Sequence, residues 1–239
     1  MDSSYVGISR QSGLLKELQS VANNIANIST TGFRREGVVF AESVRALEVE
    51  GGSVSMATAR VRYTDGISGS MTQTRGALDM AIDGPGFFMV ETPQGERLTR
   101  AGSFSTNAEG DLVTMTGYRV LDSGGAPIFI PPDAGEIGIA EDGTISANGN
   151  LISQVGVFEV ADAQSLVRED GVMFRNDGES LVAENSRVKQ GFLEGSNVDA
   201  VVEMARLIEV QRAYEMGQGL LDKEDERIRA SIRTLGKTA

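Results

Sequence analysis

The side chains that most often carry out nucleophilic and metal chemistry are missing from this sequence. Its 239 residues include no Cys, no His and no Trp. This excludes disulfides, Ser-His-Asp triads, thiolate nucleophiles and zinc sites built on Cys or His. Two carboxylates could still hydrolyse a glycoside, but so many acidic residues will form pairs by chance. We therefore expect no enzyme, and we predict no catalytic residue, cofactor or metal ion.

The charge of the chain limits the partners that it can bind. Lys and Arg number 22 against 34 Asp and Glu, so the net charge is −12. The net charge is +1 over residues 1–75, −11 over 76–190 and −2 over 191–239. Because nucleic acids and anionic membranes carry the same sign, we expect neither nucleic-acid binding nor direct lipid binding. No apolar run is long enough for a membrane helix, and the start does not resemble a secretory signal peptide.

Three asparagines crowd the segment Ala22–Arg34, at Asn23, Asn24 and Asn27. Asparagine competes for backbone hydrogen bonds and lowers helix stability, so a solvated helix face more often uses Glu and Lys. We interpret these amides as side chains that satisfy buried donors and acceptors between packed helices. The following Arg34-Arg35 pair is interpreted as a basic end that complements the helix dipole.

Heptad spacing predicts a helix at each end of the chain. The first runs from Ser4 to Asn27, ends near Ser29–Gly32, and has its narrow apolar seam at Ile8, Leu15, Leu18, Ala22 and Ile25. The second runs from Val198 to Leu235, begins with an N-cap signal at Asp199, and has its seam at Leu207, Tyr214, Leu221, Ile228 and Leu235. Gly217 and Gly219 are expected to interrupt it. Each narrow seam must pack against another helix, of the same molecule or of a neighbour.

The middle of the chain predicts short antiparallel strands. Turn signals recur at Asp83–Gly86, Glu109–Asp111, Ser123–Gly125 and Asp142-Gly143. Strand candidates lie around them at 78–82, 87–90, 112–115, 118–121, 127–130, 137–140, 144–147 and 155–160. The predicted fold is α+β and mainly β, with a central antiparallel barrel or sandwich between terminal coiled-coil helices. The predicted division is helix 1–32, extended linker 33–75, β-domain 76–190 and helix 191–239.

Four segments, in order, resemble the bacterial flagellar rod and hook family. Ala22–Arg34 resembles its N-terminal signature A-N-N-I-A-N-x-x-T-x-G-F-[KR]. Leu78–Val90 is similar to the family's DLAIxGxGFFxV segment, and Leu98–Phe104 to its YTRAGxF segment. Ser196–Glu215 is similar to its C-terminal SNVDxxxEMxxLIxxQRAYE helix. The chain has no room for the large outer domains of hook proteins.

The resemblance implies a structural subunit of the flagellar basal-body rod. Such subunits assemble with their own copies and with other rod proteins into the drive shaft that carries motor torque to the hook, as motility requires. Their terminal helices form an inner coiled-coil layer in the periplasm, and the flagellar type III export apparatus delivers them without a cleaved signal peptide. Together with the seams and the asparagines, the resemblance places the assembly interface at Ile8, Leu15, Leu18, Ala22, Asn23, Asn24, Ile25, Asn27, Asn197, Leu207, Gln211, Tyr214, Leu221 and Ile228.

Two segments favour one subgroup of the family. Asp2–Leu18 and Arg206–Glu209 are more similar to the proximal rod proteins than to the distal ones. The tail after Glu215 departs from the usual family ending. The alternatives are a distal rod protein, an acidic binding module that does not polymerise, and a cell-wall hydrolase with carboxylates gathered in a cleft.

Overall fold

A computed structural model describes residues 2–46, 53–162 and 165–235. These residues are mainly β with one helix near each end, as the sequence predicts. The helices are α1 (Asp2–Ala26) and α2 (Ala200–Leu235). The strands are β1 (Glu36–Ala46), β2 (Ser53–Thr64), β3 (Met71–Gln73), β4 (Met80–Asp83), β5 (Phe87–Thr92), β6 (Gly95–Thr99), β7 (Phe104–Thr106), β8 (Leu112–Thr114), β9 (Arg119–Val120), β10 (Ile137–Ile139), β11 (Thr144–Ala147), β12 (Asn150–Gln154), β13 (Val157–Val160), β14 (Leu166–Asp170), β15 (Met173–Asn176), β16 (Ser180–Val182), β17 (Arg187–Gln190) and β18 (Phe192–Glu194).

The chain forms two compact units that are not consecutive blocks of sequence. The first, here called the helical unit, consists of the described residues of Met1–Ala26, Glu36–Tyr63 and Asp199–Ala239. The second, here called the β unit, consists of those of Asn27–Arg35 and Thr64–Val198. The division predicted from the sequence at residues 32, 75 and 190 stays a prediction.

The helical unit is built from α1, α2 and the ribbon formed by β1 and β2. The segment 33–75, predicted to be an extended linker, contains these two long strands, which pair with each other. The helices are antiparallel, because α1 contacts α2 in reverse order. Glu17 bonds Arg206, whereas Gln11, nearer the start of α1, bonds the carbonyl of Tyr214.

The cap of α2 confirms its predicted start. The Asp199 carboxylate accepts hydrogen bonds from the backbone N–H groups of Val201 (2.8 Å) and Val202 (3.1 Å), two donors that have no partner inside the helix. The predicted interruption at Gly217 and Gly219 is wrong, because α2 runs on without a break.

Packing explains the first of these glycines. A Cβ atom at Gly217 would lie 2.2 Å from Gln11 Nε2, whereas a Cβ at Gly219 would meet no atom within 4 Å. Gly217 therefore lets Gln11 approach α2 and donate its 2.9 Å hydrogen bond to the Tyr214 carbonyl.

The β unit is organised around one large antiparallel sheet. Its strand order is β14-β15-β6-β5-β9-β8-β7, and β13 joins β5 to β16. Smaller sheets are β10-β11-β12, β17-β4 and β18-β3. Within the described residues no sheet closes into a barrel, so the open sheets agree with the sandwich alternative only. The predicted strand at 127–130 forms isolated bridges instead.

Two clusters of apolar side chains form the core of the β unit. The fully buried side chains of the larger cluster include Phe88, Leu112, Val120 and Ile145. The smaller cluster contains Met89, Leu98, Leu121, Phe158 and Phe174. Alternate residues of β5 supply both clusters, since successive side chains of a strand point to opposite faces.

The two glycines of α2 predict opposite responses to alanine. Gly219→Ala should raise the free energy of unfolding by about 0.5–1 kcal/mol, because alanine loses less backbone entropy in a helix and the site is open. Gly217→Ala should show no such gain, because its methyl group must displace Gln11 from Tyr214. Thermal unfolding followed by circular dichroism at the helix band compares the two variants, and an equal gain would contradict the close packing at Gly217.

Candidate assembly interface

Three of the five residues in the apolar seam predicted on α1 are exposed. Ile8 and Leu15 are 58% and 46% exposed, and Ala22 is exposed as well. Leu18 and Ile25 are half-buried. With a spacing of seven, Ile8, Leu15 and Ala22 share one side of the helix and form an exposed stripe.

The side of α1 that is buried in the helical unit is largely polar. Its apolar members are Leu14 and Val21. Its polar members are Gln11, Glu17, Ser20 and Asn24. The face chosen by counting apolar residues is therefore not the face that packs within the unit, and the buried contacts of α1 rely on specific polar partners.

The predicted seam of α2 lies closer to the inside. Leu207, Tyr214 and Leu221 are half-buried, and Ile228 is 42% exposed. Gln211 is exposed, and the side chain of Leu235 lies outside the described residues. Val210 and Glu203 are the buried side chains of this helix. A second apolar stripe faces outward at Val201, Met204 and Ile208.

Asn24 connects three elements of the helical unit. Its Nδ2 donates to the Glu36 carbonyl (2.9 Å) and to Glu203 Oε2 (3.1 Å). Its Oδ1 accepts a hydrogen bond from the Glu36 N–H (2.8 Å). The Asn24 and Glu203 side chains are fully buried. One amide thus ties α1 to the first residue of β1 and to the first turn of α2.

The other two asparagines have different surroundings. Asn23 is half-buried, and Asn27 lies beyond the end of α1. The Asn27 side-chain oxygen accepts a hydrogen bond from the Thr30 hydroxyl (3.1 Å), and its carbonyl accepts one from the Thr30 N–H. Asn27 therefore shapes the turn that ends the helix. Asn24 fills the predicted role of an amide between packed helices.

The β unit buries two guanidinium groups against a single carboxylate. Glu194 Oε1 lies 2.8 Å from Arg34 Nη2, and its Oε2 lies 3.1 Å from Arg100 Nη1. The Gly69 N–H also donates to Glu194 Oε1 (3.0 Å). All three charged side chains are at most 3% exposed. Buried charges need such pairing, since an unpaired ion in the interior is costly.

Backbone carbonyls accept further hydrogen bonds from both cations. Arg34 donates to the carbonyls of Gly66 (2.8 Å) and Ile67. Arg100 donates to the carbonyls of Ile82 (3.1 Å) and Gly84 (2.7 Å).

Burial dominates the acid–base properties of both guanidiniums. It lowers the pKa of Arg34, against the opposing effect of Glu194 and then of Asp65. It lowers the pKa of Arg100 to about 10, with Glu194 acting to raise it and Arg34 to lower it further. Both groups keep their positive charge at neutral pH, so the carboxylate is needed throughout the physiological range.

Gly32 and Asn197 fix the chain around this charge cluster. Gly32 has a φ of +71°, which favours glycine, and a Cβ there would lie 2.3 Å from the Ala101 backbone nitrogen. Its N–H donates to the Glu194 carbonyl (2.7 Å). The predicted interface residue Asn197 accepts a hydrogen bond from the Arg35 N–H (2.6 Å) and donates to the Ile67 carbonyl (2.8 Å).

The sequence pattern did not predict the buried charges of the molecule. Arg34, interpreted from the sequence as a basic helix end, is buried and paired with Glu194. No role was predicted for Arg100, Glu194 or Glu203. The available signal was their position inside or beside the four family-like segments, where a charged residue stands among apolar and glycine residues.

Among residues 2–46, 53–162 and 165–235, no group of three or more Asp, Glu, His or Cys side chains is placed to hold a metal ion. Neither helix combines the length and the apolar character needed to cross a membrane.

Three family models match the chain. The model described as "Flagella basal body rod protein" matches residues 5–34. The model of the "Flagellar hook protein FlgE/F/G D1 domain" matches residues 81–147. The model described as "Flagellar basal body rod FlgEFG protein C-terminal" matches residues 189–234.

Relatives match over nearly the whole length. The flagellar basal-body rod protein FlgF of Caulobacter vibrioides is 38% identical over 98% of this chain and 97% of its own. FlgF of Mesorhizobium japonicum is 37% identical over 98% of each chain. FlgG of Bacillus subtilis, also named a flagellar basal-body rod protein, is 34% identical over 93% of this chain and 94% of its own.

The chain belongs to the flagellar basal-body rod family. It is a structural subunit of the basal-body rod and not an enzyme, and among the relatives above it is more similar to FlgF than to FlgG. As a member of this family it assembles with other flagellar components at the basal body.

The charge cluster predicts a large loss of stability on removal of its one anion. Glu194→Gln keeps the shape of the side chain but removes the carboxylate that pairs directly with both buried guanidiniums, so we expect unfolding to become easier by about 3–5 kcal/mol. Urea titration measures the change. The matched control is Glu141→Gln, which breaks an exposed pair with Arg187 and should cost at most about 1 kcal/mol. Similar losses in both variants would contradict the role of burial.

Asn24 predicts a second, separate loss. Asn24→Ala leaves the Glu36 backbone groups and the Glu203 carboxylate without this partner, so we expect a cost of about 2–3 kcal/mol. Gln19→Ala, which removes an amide at an exposed position of the same helix, is the control and should be close to neutral. Urea titration compares the free energies of unfolding of the two variants with that of the unsubstituted protein. A neutral Asn24→Ala would show that the amide does not stabilise the helical unit.

Proposed function

We propose that this subunit polymerises, with its own copies and with other rod proteins, through the outward faces of α1 and α2. The observation that carries this proposal is the exposed apolar stripe of Ile8, Leu15 and Ala22. The outward stripe of Val201, Met204 and Ile208 on α2 supports it. Aligned apolar side chains on a helix surface are typical of faces that pack against another helix.

The polar character of the contact between α1 and α2 also supports this proposal. Within the unit, α1 is held by hydrogen bonds from Gln11, Asn24 and Arg206, which need particular partners at particular positions. Its outward apolar residues make no such demand and suit repeated packing against neighbours. We propose that the outward faces join a coiled-coil layer shared by many subunits.

Not every residue predicted for the interface fits this proposal equally well. Ile8, Leu15, Ala22, Gln211 and Ile228 are exposed and available to a neighbour. Leu18, Asn23, Ile25, Leu207, Tyr214 and Leu221 are half-buried and would contact neighbours at the edges of the two helices. Asn24, Asn27 and Asn197 have internal hydrogen bonds, and we propose that they act by holding the subunit in shape.

The proposed role of the polymer is mechanical. Many helix contacts in parallel would transmit motor torque along the drive shaft to the hook, as motility requires. The buried Arg34–Glu194–Arg100 cluster would help each β unit to keep its shape under load, because separating its charges from one another is costly.

We further propose a location and a route of delivery. The subunit would cross to the periplasm through the flagellar type III export apparatus, without cleavage of a signal peptide, and join the rod there. Family membership supports this part of the proposal. The greater similarity to FlgF than to FlgG favours the proximal rod over the distal rod.

A charge placed in the outward stripe tests the proposal. Leu15→Asp should leave the subunit folded, because this side chain is 46% exposed, but should abolish polymerisation, because a buried carboxylate would stay unpaired between helices. Sedimentation of the purified protein with other rod subunits, and motility of cells that carry the variant, measure the effect.

The control for Leu15→Asp is Asn150→Asp, which adds the same charge at an exposed position of β12 in the other unit. It should sediment like the unsubstituted protein. Polymers or motile cells with Leu15→Asp would overturn the assignment of the outward face of α1 to assembly.

A further inference from the structure

Arg168 on β14 lies between two aromatic rings of the β unit. Its guanidinium carbon is 4.5 Å from the ring centre of Phe33 and 4.5 Å from that of Phe174. Both phenylalanines are fully buried. A cation over the face of an aromatic ring is attracted by the ring quadrupole, and the attraction grows when water is excluded.

The same guanidinium also joins two backbone carbonyls. Its Nη2 donates to the carbonyl of Arg34 (2.5 Å), and its Nη1 donates to the carbonyl of Gly171 in the turn between β14 and β15. Arg168 therefore contacts the ring of Phe33 and the backbone carbonyl of Arg34, two neighbouring residues of the segment between α1 and β1. Its other two partners, Phe174 and Gly171, belong to the same β14–β15 hairpin as Arg168.

The hairpin that carries Arg168 is itself anchored to the large sheet. The next residue of β14 is Glu169, which lies where the pairing register of β14 with β15 shifts. Its carboxylate binds Arg97 of β6 (2.6 Å) and Arg175 of β15 (2.7 Å). The hairpin also pairs with β6 at Met173 and Phe174. Arg168 thus extends from a fixed support.

The contact of Arg168 with Phe33 and Arg34 joins a part of the chain outside the three segments matched by family models to a part inside one of them. Phe33 and Arg34 lie in the segment matched at residues 5–34, whereas residues 148–188, and with them the β14–β15 hairpin, fall between the other two matches. The β14–β15 hairpin therefore contacts a matched segment although it lies outside all three of them.

We propose that Arg168 is a positioning residue that fixes the connecting segment Asn27–Arg35, which leads from α1 to β1, against the β14–β15 hairpin. The fixed segment presents Arg34 to Glu194 and is required for polymerisation. The second part of this inference rests on the proposed function, and the first part does not.

The contacts of residue 168 with two rings and two carbonyls can be made by arginine but not by lysine. A guanidinium is flat, so it can contact a ring on each face while its edges donate to two carbonyls. A lysine ammonium keeps the charge but cannot make both stacking contacts and both hydrogen bonds with one geometry. A methionine fills a similar volume without the charge or the donors. These differences allow graded variants.

Hydrogen exchange of the purified full chain tests the first part. Arg168→Met should speed the exchange of backbone amides in residues 28–35 by about tenfold or more, and Arg168→Lys should have an intermediate effect. The matched control Arg187→Met removes an exposed arginine that pairs with Glu141, and should leave residues 28–35 unchanged. Unchanged exchange in Arg168→Met, or equal acceleration in Arg187→Met, would overturn the clamp.

Two measurements keep the outcome decisive. If Arg168→Met unfolds the whole β unit, Arg168→Lys is compared with Arg187→Lys, and the clamp requires faster exchange confined to residues 28–35.

In sedimentation, Arg168→Met should raise the concentration needed for polymerisation several-fold. Faster exchange with unchanged polymerisation would overturn the second part. If the unsubstituted protein does not polymerise, the proposed function fails, and the exchange result still decides the clamp.

Discussion

The structure of the β unit depends on one carboxylate that holds two guanidiniums away from water. Glu194 is the last residue of β18, Arg34 lies just before β1, and Arg100 lies just after β6. The three charges therefore come from distant parts of the sequence. Each is too costly to bury alone, and each becomes acceptable only when the other two and their carbonyl partners are in place. The cluster thus couples the segment after α1 to the sheets, and Gly32 is required because the same approach leaves no space for a side chain.

The helical unit follows the same principle with neutral groups. Polar side chains join α1 to α2, where Asn24 donates to the Glu203 carboxylate and Gln11 donates to the Tyr214 carbonyl, and these two bonds set one alignment of the helices. A single buried amide can fix helix register in this way, at some cost in stability. Part of the apolar surface of each helix is turned outward, namely Ile8, Leu15 and Ala22 on α1 and Val201, Met204 and Ile208 on α2. The fold therefore places specific contacts inside the subunit and less demanding apolar surfaces outside it.

Sequence patterns predicted the elements better than their partners. The start of α2, the strand Thr144–Ala147 and the mainly β middle follow from capping, alternation and turn residues, which are local properties. The buried face of α1 was not predictable, because apolar periodicity cannot tell a face used within the subunit from one left outside. The pairing of Arg34, Arg100 and Glu194 was not predictable either, since charged residues are usually exposed and a position in or beside a family-like segment does not show which of them pair. Short strands such as β14 and β16 show no alternation of apolar and polar residues, so the period-two pattern did not predict them.

The distribution of charge limits where subunits can meet. All the basic residues of 76–190 bind an internal carboxylate or carbonyl, namely Arg97, Arg100, Arg119, Arg168, Arg175, Arg187 and Lys189. The segment has a net charge of −11, and its cations are already occupied, so two such surfaces would repel each other. The segments 1–75 and 191–239, at +1 and −2, carry almost no such penalty. Close packing of many copies is therefore electrostatically easier through the helices than through the β unit, which is the arrangement that their outward apolar stripes favour.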